Sequence, residues 1–384
     1  METRRLFYED SHLTEFTATV TACTPVKDGW AIELDATAFY PEGGGQACDL
    51  GTLGQAKVLD VQEKEGKILH FCDQVLEIGQ RVTGRIDWLR RFDLMQQHSG
   101  EHIVSGIICS RYGYHNVGFH VGSDRMEIDF DGPISPDALA EIENLANEAV
   151  WKNLPIRCWY PSEAELPSIP YRSKKALDWP VRIVEIPGTD SCACCGVHVK
   201  NTGEIGLIKL ISCVKFHSGV RIELTCGKRA LALMQAIFAQ NKQVSQIFSA
   251  KLLETGAAAL KMNEQLAVEK LRANTLQTQL LRQTAQGYQN AGNVVHFEEN
   301  LDGGQLRELT DAIAKVCGGR AAVFSGNGEN WNICMLHPGG DLNSVITRLK
   351  AAFPTRGGGK PGSFQGTVQA TRQQIEAQFA QLEA

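Results

Sequence analysis

Residues 16–26, Phe-Thr-Ala-Thr-Val-Thr-Ala-Cys-Thr-Pro-Val, alternate apolar and polar side chains with the period of two that marks a strand buried on one face. The pattern recurs in short runs at 30–37, 56–71 and 81–88, each broken by Gly, Pro or Asp. Several short alternating strands separated by turn residues predict a small antiparallel barrel or sandwich. From Arg91 to Tyr112 the spacing becomes helical, and it does so again over 135–154, where Ser135 caps and Pro136 takes the first helical position. Strand-like runs at 117–130, 181–186, 204–216 and 220–227 complete a mixed α+β region that ends near Gly227.

Residues 228–287 contain no proline and are rich in Ala, Leu, Gln, Lys and Glu, which predicts long helices, a hairpin broken near Thr255-Gly256. Ala257 to Gln286 has the composition of a coiled-coil arm. A strand at 293–297, a helix after Gly304, strands at 321–325 and 332–337, a helix after Asp341 and a last polar helix form an α/β appendage. The expected class is α+β with domains at 1–90, 91–227, 228–290 and 291–384. A chain of 384 residues exceeds what one core supports, so two or three domains are expected on length alone.

Hydrophobic residues at 43% and charged residues at 21% belong to a globular chain and exclude a long disordered tract. The start, Met1-Glu-Thr-Arg-Arg, is followed by acidic residues and no apolar run, and no stretch reaches a membrane span. Twelve cysteines without a secretion signal read as reduced thiols plus a metal site, which places the chain in the cytoplasm. The net charge of −6 weighs against nucleic acid as a partner. Basic clusters at Arg81, Arg85, Arg90 and Arg91, at Arg172, Lys174 and Lys175, and at Arg356 and Lys360 offset it, although solvated faces carry such clusters equally well.

His98-Ser-Gly-Glu-His102 lies in the first helical stretch, and a spacing of four puts both imidazoles on one face. Far downstream, Asp190-Ser-Cys-Ala-Cys-Cys-Gly-Val-His198 adds three cysteines and a histidine on a loop. Histidine and thiolate are preferred zinc ligands, and a pair from a helix plus a pair from a loop completes a tetrahedron. Spacing leaves the cysteine open: Cys192 and Cys195 form Cys-x-x-Cys, while Cys194 and His198 form Cys-x-x-x-His. A purely structural zinc is the plainer alternative.

These two motifs, with Cys194 continuing through Cys-Gly-Val-His-Val-Lys-Asn-Thr-Gly-Glu-Ile to Gly206, resemble the editing domain of alanyl-tRNA synthetase and its free-standing AlaX homologues. Thr37-Ala-Phe-Tyr-Pro-Glu-Gly-Gly-Gly-Gln46 is similar to that family's N-terminal barrel motif. Gly357-Gly-Gly-Lys-Pro-Gly-Ser-Phe-Gln-Gly366 is similar to the DHHA1-type C-terminal domain, as in the long AlaX form. The resemblance implies one zinc ion per chain held by His98, His102, Cys194 and His198. It implies a pocket lined by Thr37, Gly44, Gly45 and Gln46, and tRNA contacts from Arg356, Gly357, Gly358, Gly359 and Lys360. The implied activity is trans-editing: hydrolysis of the ester in mischarged tRNA(Ala), seryl first and glycyl second, with Thr37 meeting the serine hydroxyl. Implied partners are tRNA and a second copy through the helical arm or C-terminal domain, with no membrane. Cys195 and Val197 stand where the family loop carries a glycine and a threonine.

Two rival readings remain. His98-Ser-Gly-Glu-His102 fits the H-x-x-E-H pattern of a zinc peptidase with Glu101 as base, and under the editing reading Glu101→Gln leaves hydrolysis intact. The other is a non-catalytic RNA-binding protein with a structural zinc.

Overall fold

Phe16, Ala18 and Val20 point inward from the strand Glu15–Val26, as the alternation requires, until a bulge after Val20 shifts the register and leaves Ala22 and Cys23 half-buried. This strand joins Gly29–Leu34, Lys67–Cys72, Ala56–Lys64, Gly51–Leu53 and Arg81–Ile86, in that order, in a closed six-stranded barrel. The computed structural model describes residues 2–122, 124–173, 177 and 179–382, and the chain divides into two units, Met1–Gln243 and Val244–Ala384.

In the first unit the barrel is followed by the helix Trp88–Tyr112. Asp87 caps it by accepting from Arg90 N, so that it starts at Trp88, three residues before the expected Arg91, and the left-handed Gly113 ends it. Nearly every residue from Leu94 to Ile108 is buried, because elements surround the helix. The four-stranded sheet Ile208–Phe216, Gly219–Cys226, Met126–Phe130, Asn116–Val121 packs against it, as do the helix Pro136–Trp151 and the strand Asp190–Ala193 of a three-stranded sheet. Gly106 permits the last contact: a Cβ there would meet Thr189 O at 2.4 Å and the Asp190 side chain at 2.7 Å. One core runs from Phe7 through the barrel to Cys226. Residue 90 therefore marks a change of secondary structure and not a gap in the packing.

Arg91 and Asp49 are both fully buried and tie the helix to the glycine-rich segment. Arg91 Nε donates to Asp49 Oδ1 at 2.8 Å, its other nitrogens donate to Asp49 Oδ2, Ala38 O and Ser11 O, and Asp49 Oδ2 also accepts from Tyr40 N at 2.6 Å. Each guanidinium nitrogen and both carboxylate oxygens have a partner, the condition under which a buried ion pair is tolerated. The basic cluster ahead of the first motif is thus divided: Arg91 is internal and Arg90 donates to Cys48 O, while Arg81 and Arg85 are exposed, Arg85 pairing with Glu15. Lys174 and Lys175 lie outside the described residues.

The helices Gly227–Phe248 and Thr255–Gln286 flank a break at 249–254, close to the expected one. In the second unit, a five-stranded sheet runs Gly292–Glu298, Gly318–Asn327, Asn330–Leu336, Ser363–Gln369, Thr355–Gly358, with its first pair parallel and the rest antiparallel. The helix Gly303–Cys317 packs with Leu281 and Ala285 of the arm in one core. The closing helix Arg372–Ala380, polar in composition, buries Ile375 and Phe379 in another. Among the described residues no helix is long and apolar enough to cross a membrane, and no disulfide forms.

Candidate metal centre and its cavity

The helix Trp88–Tyr112 carries His98 and His102 one turn apart, and the segment after the strand Asp190–Ala193 carries Cys194 and His198. All four meet: one ligand atom from each lies within 4.8 Å of the others, and the three histidines are at most 3% exposed. Cys194 Sγ is 3.4 Å from His98 Nε2 and 3.6 Å from His198 Nε2. The ring of His198 lies 4.5 Å from that of His98 and 4.6 Å from that of His102.

Each imidazole is held by its other nitrogen. His98 Nδ1 is 2.8 Å from Gln46 Oε1, His102 Nδ1 is 2.9 Å from Asp190 Oδ2, and His198 Nδ1 is 3.1 Å from Ser99 Oγ, which also accepts from Val199 N. An amide oxygen and a carboxylate accept only, so Nδ1 of His98 and His102 carries the proton and Nε2 offers its lone pair to the cluster. Burial, then the neighbouring His98 and His102, push the pKa of His198 well below 6.5, so that ring too stays neutral. Burial and then Cys195 push the Cys194 thiol up. Three neutral imidazoles and a thiol facing one point form a donor set that could hold a metal cation.

Behind the donors stand residues that motif spacing did not single out: Ser99, Asp190, Arg172 and Arg182. Arg172 forks onto Asp190, Nε to Oδ1 at 2.6 Å and NH2 to Oδ2 at 2.9 Å. Burial works against its charge, but Glu101 and Asp190 outweigh burial and raise its pKa. Arg182 NH1 donates to Cys194 O and Gly196 O at 2.9 and 2.8 Å, clamping the loop, while its guanidinium lies over the Tyr8 ring. Gly196 must be small, since a Cβ would meet the His98 ring at 2.1 Å. The only sequence sign of Asp190 and Ser99 was their place inside the two motifs.

Of the three cysteines only Cys194 enters the four-membered group. Cys192, His102 and Asp190 form a second grouping, but its His102 Nδ1 and Asp190 Oδ2 are bonded to one another and Asp190 is taken by Arg172. Cys195 is exposed, with its carbonyl accepting from Tyr8 OH, and Val197 is fully buried in the core.

A cavity of about 390 Å³ opens beside the cluster, lined by Gly44, Gly45, His98, Glu101, His102, Phe119 and Cys194 among others. Gly44 and Gly45 have φ of +59° and +80° and approach Cys195 and Phe119 too closely for any side chain. Gln46 is fully buried, with Oε1 on His98 and Nε2 without a hydrogen-bond partner among the described residues. Thr37, expected in the pocket, does not line the cavity. It is fully buried in the barrel region, its hydroxyl 2.8 Å from His70 Nε2 and accepting from Phe39 N. His70 Nδ1 faces Ile32 O at 3.0 Å, so Nε2 is the acceptor and the Thr37 hydrogen is spent on it.

That pair sets a pH dependence. Burial lowers the His70 pKa from 6.5 to about 4, so the folded state keeps His70 neutral where the unfolded chain takes up a proton. Stability is therefore whole above pH 6.5 and falls between there and pH 4, by about 3 kcal/mol in all. Urea titrations at pH 7 and 4.5 on the protein and on a His70→Gln variant should show a smaller acid loss in the variant; an equal loss would assign acid sensitivity elsewhere.

The tail residues also sit differently from expectation. Arg356, Gly357 and Gly358 belong to the strand Thr355–Gly358, paired with Thr367, Gly366 and Gln365, and do not form a loop cradle. A Cβ at Gly357 would lie 2.2 Å from Gln365 O and one at Gly359 1.9 Å from Ser363 O, so the hairpin itself requires these glycines.

With this geometry in view, the family comparisons are specific. Residues 181–223 match the second additional domain of threonyl and alanyl tRNA synthetases, and residues 3–90 match the class II (A) tRNA synthetases. Over nearly its whole length the chain is similar to alanyl-tRNA editing proteins. It is 29% identical to the alanyl-tRNA editing protein Aarsd1 of Mus musculus, across 97% of this chain and 96% of that one, and 28% identical to the Danio rerio protein across 96% and 95%. It is 31% identical to the alanine–tRNA ligase of Thermofilum pendens over 96% of this chain, but spans only 43% of that longer protein. The C-Ala domain of Aquifex aeolicus alanyl-tRNA synthetase matches 23% of this chain and 86% of its own at 18% identity and a TM-score of 0.20, too slight a likeness to argue from.

Proposed function

We propose that the protein is an aminoacyl-tRNA deacylase that hydrolyses the ester of mischarged tRNA(Ala), seryl-tRNA(Ala) first and glycyl-tRNA(Ala) second, with one zinc ion held by His98, His102, Cys194 and His198. The observation that carries this is the donor geometry. A tetrahedral zinc with ordinary Zn–N and Zn–S lengths sets its N···S edges at about 3.5 Å. The two such edges measured here are 3.4 and 3.6 Å. The names of the editing relatives support the reaction, and the adjoining cavity supports a small acyl group as its occupant.

When bound, the ion would supply positive charge that orients and polarises the ester carbonyl. The protein's own part is to hold the donors in one tautomer, through Gln46, Asp190 and Ser99, and to shape the cavity with Phe119 and the left-handed Gly44 and Gly45. A labile ester needs modest activation once positioned. Because Thr37 spends its hydroxyl on His70, we assign it to packing, and Thr37→Val should lower seryl and glycyl hydrolysis alike. A peptidase reading finds less support, since Cys194 and His198 complete the donor set without a glutamate from a later helix.

The test is deacylation of Ser-, Gly- and Ala-tRNA(Ala) by purified protein, with zinc measured per chain. Hydrolysis of none of the three would leave the RNA-binding reading with a structural zinc.

Residues 244–384 serve tRNA binding in this proposal, through Arg356 and Lys360 beside the hairpin. The arm, with Leu260, Leu266 and Leu271 exposed, is the surface through which two chains would pair. A chain ending at Gln243 should keep its zinc, bind tRNA more weakly and show a shallower dependence of affinity on salt, because phosphate contacts are lost. Light scattering on both forms separates pairing from binding, and unchanged affinity and salt slope would reassign the tail.

A further inference from the structure

Glu101 has no part in holding the metal donors, yet it is 3% exposed and lines the cavity beside them. A buried carboxylate is costly and calls for partners. Its Oε1 accepts from Ser105 Oγ and Asn116 Nδ2, each at 2.6 Å, which fixes the side chain, and its Oε2 lies 3.9 Å from His102 Nε2. The nearest guanidinium, Arg172, turns its fork onto Asp190. Asn116, bonded to Glu101, also keeps its Oδ1 buried with no hydrogen-bond partner among the described residues.

Resting on the deacylase reading above, we propose that Glu101 receives the α-ammonium group of the aminoacyl ester. An aminoacyl ester carries one cation next to the carbonyl to be attacked. A carboxylate next to the cluster that orients that carbonyl is placed to take it in a charge-assisted hydrogen bond. Glu101 thereby selects an α-amino acyl group and positions its carbonyl. This departs from the expectation that Glu101→Gln would be silent.

The experiment compares two esters on the same tRNA: seryl-tRNA(Ala), and the α-hydroxyacyl ester obtained from it by nitrous acid deamination, each rate divided by the spontaneous rate. Glu101→Gln keeps an oxygen for Ser105 and Asn116 and removes only the charge. It should lower kcat/KM on the seryl ester about 10- to 100-fold, leave the hydroxyacyl ester within about twofold, and keep its zinc. Glu101→Asp should recover part of the loss. An equal fall on both esters would make Glu101 a general base or a structural group, a loss of zinc would make it a ligand, and no fall on either would remove it from the site; each overturns the proposal. If the unmodified protein cleaves neither ester, the deacylase reading itself fails, a result separate from any of these.

Discussion

Replacing His198 with alanine is expected to strip the protein of its zinc and to lower deacylation by more than roughly 100-fold. Loss of an outer hydrogen bond to a ligand costs about 10- to 100-fold in metal affinity or activity, and loss of a ligand itself costs more. His198 bridges the two halves of the cluster: its Nε2 faces Cys194 Sγ, and its ring lies against both helix-borne imidazoles. Its removal leaves three donors and a buried gap between the helix and the loop. Zinc content after dialysis against a mild chelator, together with hydrolysis rates, checks the expectation. A His198→Ala protein that retained both full zinc and full activity would dissolve the proposed centre, whereas zinc lost with activity kept would make the metal structural.

The second large effect is expected from Asp190→Asn. The carboxylate is 2% exposed at the side chain and does two things at once, accepting from His102 Nδ1 and from the Arg172 fork. An asparagine can offer one oxygen to Arg172, but then turns its N–H group to His102. That reverses the imidazole, placing a proton on the Nε2 that faces the cluster, where it cannot ligate. Metal affinity should fall about 10- to 100-fold. Stability should also fall, by about 3 kcal/mol, because a largely buried guanidinium loses the carboxylate it forks onto and keeps only the charge of Glu101. Competition with a chromophoric chelator reads the first and urea unfolding of the metal-free protein the second. Unchanged affinity would mean that Asp190 serves Arg172 alone.

How much of this was legible without the fold depends on range. The spacing of His98 and His102, the strand alternation around Phe16 and the proline-free arm are local matters, decided by backbone periods of 3.6 and 2.0. They stood in the sequence because no distant residue is needed to define them. The limits of that reading are as local: the Trp88–Tyr112 helix began, after its Asp87 cap, three residues earlier than the periodicity suggested, and the closing helix looked polar because its buried Ile375 and Phe379 are few.

By itself, then, the amino-acid order determined the class of elements, their succession and the two motifs from which the donors come. Only the tertiary structure decided which partner each group keeps. It turned Cys194 inward and left Cys195 exposed, spent the Thr37 hydroxyl on His70, spent the tail glycines on a hairpin, and brought Asp190, Ser99 and Glu101 around the three histidines and Cys194. The reason is that a buried polar group is defined by what satisfies it. Those partners lie as far off as 99 residues along the chain, as Ser99 and His198 do, so no local pattern records them.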